Sequence, residues 1–76
     1  MTDVPVREGQ IALGQLLKLV GVVESGGEAR GLLAGGDVRV NGQVDVRRGR
    51  KLVAGDLVEI AGAEPWRITV ETASEE

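Results

Sequence analysis

Residues 35–51 read GGDVRVNGQVDVRRGRK, and the hydrophobic period changes inside them. Before Gly36 the apolar residues fall at helical spacing. From Val38 they alternate with polar ones: Val38 and Val40 flank Arg39, and Val44 and Val46 flank Asp45. Strict alternation marks a strand with one buried face. Asn41-Gly42 joins the two runs and is a strong hairpin signal, because both residues tolerate positive φ. A two-residue turn pairs Val40 with Gln43, which sends Val44 and Val46 to the face opposite Val38 and Val40. A three-residue loop or a bulge returns all four valines to one face, and that irregularity is expected here.

Upstream, Ser25-Gly-Gly-Glu28 has the form of a capping box, in which Ser25 starts a helix and Glu28 reaches back to it. Ala29, Leu32 and Leu33 supply its apolar face, and Gly35-Gly36 ends it, giving a helix over 25–34. Gly31 inside it costs about 1 kcal/mol relative to Ala, which points to a close backbone approach at that position. Ile11, Leu13, Leu16, Leu17 and Val20 predict a second short helix over 12–20, stopped by Gly21. So short a helix is held by packing, not by its own propensity. Leu17, Leu33 and Val40 are the expected core.

Downstream, residues 47–51 contain no apolar side chain and predict an exposed loop that buries nothing. Leu52 and Val53 lead to a turn at Ala54-Gly55-Asp56. Leu57, Val58 and Ile60 form a strand. After a turn over 62–65, Trp66, Ile68 and Val70 share one face of a last strand. Residues 6–11 suit a short N-terminal strand, and residues 1–5 and 72–76 are expected to be mobile ends. The fold class is α+β: two short helices on a small, mainly antiparallel sheet of three to five strands. Residues 1–76 form a single domain whose core spans about 10–70.

Seventy-six residues with no Cys and no His narrow the chemistry. A domain this small buries only about 60% of its unfolded surface, so its stability margin is thin. Imidazole catalysis and soft-metal sites are excluded. The hydroxyls Thr2, Ser25, Thr69, Thr72 and Ser74 have no base at a useful spacing, and the carboxylates lack calcium-loop spacing. The chain therefore reads as no enzyme, with no cofactor and no metal. No apolar run reaches the roughly 20 residues that span a bilayer, and residues 1–9 lack a signal-peptide run. The expectation is a cytoplasmic monomer with no membrane contact.

The charge is unevenly placed. The chain carries nine Lys and Arg against twelve Asp and Glu. Residues 30–51 nevertheless hold Arg30, Arg39, Arg47, Arg48, Arg50 and Lys51 against Asp37 and Asp45 alone, while both flanks are acidic. A basic stripe in an acidic protein is an address for a polyanion.

Four stretches together carry a resemblance: Leu13-Gly-Gln-Leu-Leu-Lys18, Ser25-Gly-Gly-Glu-Ala-Arg30, Gly36-Asp-Val-Arg-Val-Asn-Gly42 and Gly55-Asp56. Over roughly residues 10–62 the chain resembles the S-four RNA-binding domain, named after a small-subunit ribosomal protein. The core of that domain is the alpha-L motif. The Arg47–Lys51 loop and the Leu-Leu-Lys-Leu helix are most similar to its small stand-alone bacterial members, the YbcJ-like group. The resemblance implies binding of structured ribosomal or transfer RNA, and of the ribosome itself. Two positions depart from the family pattern. Ala12-Leu13-Gly14 stands where larger members have Arg-Leu-Asp, and Gly26 stands where a basic residue often follows the capping Ser.

The residues expected to contact RNA are Lys18, Ser25, Arg30, Arg39, Asn41, Arg47, Arg48, Arg50 and Lys51. Arginines grip phosphate bidentately and lysines act as point charges. Asn41 is a turn former before it is a base reader, and Lys18 equally suits the outer face of its helix. With Trp66 as the sole aromatic, stacking on successive bases is ruled out, and recognition falls to backbone and shape. The same stripe also suits an interaction module that docks an acidic protein such as an assembly factor. DNA binding is disfavoured for want of a long recognition helix.

Overall fold

The computed structural model describes residues 2–63 and 65–70. Strand β1 (Thr2–Val6) leads through a 3₁₀ turn at Arg7–Gly9 into β2 (Gln10–Ala12). Helices α1 (Leu13–Leu19) and α2 (Gly26–Ala34) follow, then β3 (Val38–Val40), β4 (Gln43–Val44), β5 (Lys51–Val53), β6 (Leu57–Ile60) and β7 (Trp66–Val70). Five strands form one sheet in the order β1-β7-β6-β3-β4, antiparallel except for the β1–β7 pair. Strands β2 and β5 form a separate antiparallel pair. The α+β class with two short helices and a mainly antiparallel sheet is the observed architecture.

The core lies between the helices and one face of the sheet. Leu13, Leu16, Leu17, Ala29 and Leu33 meet Val38, Val58 and Ile68 there, all fully buried. Leu33 and Leu17 are in the core as the spacing predicts, and so is Val40. Helix α1 ends at Gly21, whose φ of 82° is left-handed. Trp66 packs half-buried against the core, while Val70, expected on its face, is exposed.

Helix α2 starts at Ser25, whose Oγ accepts from the Glu28 amide at 3.1 Å. The reciprocal bond differs from a strict capping box: the Glu28 carboxylate accepts from the Glu24 amide at 2.6 Å. Gly31 has no neighbour within 4 Å of where a Cβ would stand, so the expected backbone approach is absent. The helix simply tolerates a glycine because tertiary packing of Ala29 and Leu33 holds it.

The hairpin follows its turn and not its valines. Asn41 and Gly42 have φ of 54° and 87°, as a two-residue hairpin turn requires. Val40 pairs with Gln43 and Arg39 with Val44. No bulge intervenes, and Val44 and Val46 are 52% and 57% exposed. The turn fixed the register, so the inward slot opposite Val38 went to Asp45, whose amide donates to the Val38 carbonyl.

The N-terminus also differs from expectation. Residues 2–5 are not a mobile end: they belong to β1, pair in parallel with β7, and bury Val4. Pro5 is accommodated because β1 is an edge strand. Residues 72–76 lie outside the described residues.

Candidate nucleic-acid interface

Register places the carboxylate of Asp45 inside the protein, where it keeps 6% of its exposure. An unpaired buried charge is costly, so the group must be compensated. Two arginines do this. Asp45 Oδ1 accepts from the Arg47 amide at 2.9 Å and from Arg47 Nε at 3.1 Å. Oδ2 accepts from Arg47 Nη2 at 2.9 Å and from Arg50 Nη1 at 2.8 Å. The fork of Arg47 thus meets the carboxylate bidentately. These bonds, chiefly the side-chain one from Arg47, hold the Asp45 carboxyl well below the usual carboxylate range despite the opposing effect of burial. Arg47 is pushed up in turn by the same bond.

The loop so anchored closes over helix α1. The Arg50 amide donates to the Arg47 carbonyl at 3.1 Å. The Arg50 carbonyl accepts from the Leu13 amide at 2.8 Å, and the Arg48 carbonyl from the Gly14 amide at 2.9 Å. The first amides of a helix have no partner within it, and here a distant loop supplies two acceptors. From within the helix, Gln15 Oε1 accepts from the amide of the N-cap residue Ala12 at 3.3 Å. The loop therefore does not bury nothing: it covers Leu13 and Gly14, both buried.

Between the anchored neighbours, the Arg48 side chain lies across Gly14. A Cβ on Gly14 would stand 2.4 Å from Arg48 Cγ, and one on Gly26 would stand 3.4 Å from Nη1. The two glycines that depart from the family pattern thus make the seat of this arginine. Beside it opens a cleft of about 290 Å³, lined by Gly14, Gln15, Lys18, Gly26, Arg48 and Gly49. Two cations and no carboxylate line it. Lys51 stands opposite Ala12, one of the lining residues, in the β2–β5 ladder. The cleft also borders the start of α2, whose dipole adds partial positive charge.

The nine expected contact residues therefore separate. Lys18 and Arg48 line the cleft, and Lys51 is exposed on β5. Arg47 and Arg50 are bound to Asp45, with Arg47 still 68% exposed. Arg30 is exposed on α2, and Arg39 points to the sheet face opposite the core. Arg39 shares a hollow of about 340 Å³ with Asp37 and Glu59, a mixed-charge setting. Ser25 is occupied as a helix cap. Asn41 is occupied as well: its Nδ2 donates to Asp56 Oδ1 at 3.0 Å, and its Oδ1 accepts from the Leu57 amide at 3.0 Å. Asp56 Oδ2 accepts from the Val53 amide at 2.9 Å. Two pieces of the quoted motif, Asn41-Gly42 and Gly55-Asp56, are thus one structural joint. Sequence reading passed over Gly14 and Gly26 as lost contacts, and over Asp45 as a polar strand position.

Comparison with known proteins bears on the family of the chain. The family model described as S4 domain matches residues 4–69. A Bacillus subtilis protein named "Probable ribosome maturation protein RlbA" is 56% identical over 58 residues, spanning 76% of this chain and 82% of the relative. The Escherichia coli "Putative RNA-binding protein YbcJ" is 46% identical over 52 residues, spanning 68% of this chain and 74% of the relative.

Proposed function

Since the chain belongs to the S4 domain family, we propose that it binds structured RNA, ribosomal or transfer, through the cleft beside Arg48. Its setting is the cytoplasm, its form a monomer, and its role the maturation of the ribosome, as the name of the Bacillus relative suggests. The observation that carries this reading is the convergence of Lys18 and Arg48 on a hollow that no carboxylate lines. In a chain with three more acidic than basic residues, such a site selects phosphate locally while the remaining surface repels it.

The mode of recognition follows from what the cleft contains. Arg48 offers a planar fork and Lys18 a mobile point charge, both suited to the phosphodiester backbone. No aromatic side chain lines the cleft, and Trp66 is half-buried against the core. Stacking on splayed bases is therefore unavailable, and the shape and backbone of a folded RNA are read instead.

A competition assay tests the reading. A labelled ribosomal RNA fragment is bound, and unlabelled ribosomal RNA, transfer RNA and duplex DNA are titrated in at fixed salt. Structured RNA should displace the probe at lower concentration than duplex DNA of equal charge. Equal displacement by all three would reduce the site to a nonspecific cation patch. No binding to any of them would favour the acidic protein partner.

A further inference from the structure

The three arginines of the loop do different work, and one carboxylate divides them. Arg47 and Arg50 turn inward to Asp45, on either side of Arg48 in sequence. Their backbones are fixed as well: the Arg47 amide donates to Asp45, and the Arg50 amide donates to the Arg47 carbonyl. The Arg48 side chain makes no hydrogen bond or ion pair among the described residues. Its place across Gly14 is therefore set by the path of the loop that carries it.

We propose that Asp45 is the positioning residue of the RNA cleft: by holding Arg47 and Arg50 inward it lays Arg48 over Gly14 and Gly26, facing the ligand. The proposal rests on the RNA reading of the cleft. It also explains why a carboxylate stands beside a site for an anion. Asp45 is buried beneath the loop and already saturated by two guanidinium groups, so it contributes order there without presenting a free negative charge.

The proposal has a sign that simple electrostatics does not share. Asp45→Asn removes one negative charge and releases two cations. Charge counting alone then expects tighter RNA binding and a steeper salt dependence. A positioning role expects the opposite, because the released loop no longer places Arg48.

Two readouts decide between them. One is affinity for a structured ribosomal RNA fragment by fluorescence anisotropy, for the wild type, Asp45→Asn, Arg48→Gln and the double variant. Asp45→Asn should bind about tenfold more weakly, roughly the worth of one charge-assisted contact. In the Arg48→Gln background the same change should cause no further loss, since Asp45 acts through Arg48. The other is made on the free protein by NMR: the contact between the Gly14 α-protons and the Arg48 side chain, present in the wild type, should vanish in Asp45→Asn. Equal or tighter binding by Asp45→Asn overturns the proposal, and so does persistence of that contact. If the wild type binds no RNA, the functional reading fails by itself, and the contact measurement still decides whether Asp45 places Arg48. Should Asp45→Asn fail to fold, Arg47→Gln opens the clamp from its exposed side and is judged by the same contact.

Discussion

Replacing Gly14 by Ala removes the seat of Arg48. The new Cβ would stand 2.4 Å from Arg48 Cγ, 3.2 Å from Cδ and 3.3 Å from the Arg48 carbonyl oxygen. The first distance is impossible, and Cγ is too near the backbone to yield by a rotation of the guanidinium end. The Arg48 side chain must leave its seat. The fold is affected too, because the Arg48 carbonyl oxygen at 3.3 Å is backbone and the loop must shift with it. Overpacking of this kind is expected to lower the unfolding free energy by about 1–3 kcal/mol, only partly offset by the helix preference of Ala over Gly. RNA binding should weaken about tenfold, with the salt slope smaller by about one phosphate contact. Thermal melts and anisotropy titrations on the same preparation measure both. Gly31→Ala is the matched control: it adds the same methyl group to a helix where nothing lies within 4 Å. Wild-type affinity in Gly14→Ala, with a normal melt, would refute the role given to the seat of Arg48.

Gly31→Ala should itself stabilise the protein by about 1 kcal/mol and leave RNA binding unchanged; a lower melting temperature would reveal a contact at that position. Leu33→Ala removes a fully buried side chain and should cost about 2–5 kcal/mol, a large share of the stability of so small a domain. An unchanged melt would mean that Leu33 is not in the core. Stability should also depend on acid through Asp45. Its carboxyl titrates lower in the folded than in the unfolded state, so its contribution is present above about pH 4 and is lost as the pH falls further, through the folded value. Arg47 and Arg50 are the charged groups that face it. Asp45→Asn should flatten that acid limb, and an unaltered pH profile would exclude Asp45 as its source.

Local chemistry was legible in the sequence and distant pairing was not. The change of period at Val38, the Ser25 cap and the Asn41-Gly42 turn each act within a few residues, and each is found where the spacing puts it. The alternation of four valines points to a bulged hairpin register that the two-residue turn overrides. The turn prevailed, and the buried position it gave to Asp45 became tolerable only through Arg47 and Arg50. Strand β1 was hidden because its partner β7 lies at the other end of the chain and its own sequence holds a proline and a charge. The site was half legible. A cluster of cations announces a polyanion, but composition does not reveal which cations are already paired. Nor does a glycine at 14 reveal that an arginine at 48 will lie on it.

The salt dependence of RNA binding tests the cleft most directly. The stripe as a whole holds six cations, yet Arg47 and Arg50 are engaged by Asp45 and Arg39 faces away from the core side of the sheet. Arg48 of the stripe lines the cleft, joined by Lys18 of α1, so about two phosphates are neutralised there. The slope of log K against log[salt] should then be about −1.5 to −2 for the wild type. It should fall toward zero when Lys18 and Arg48 are both replaced by Gln. A slope near −5, or the same slope in wild type and double variant, would contradict binding at this cleft.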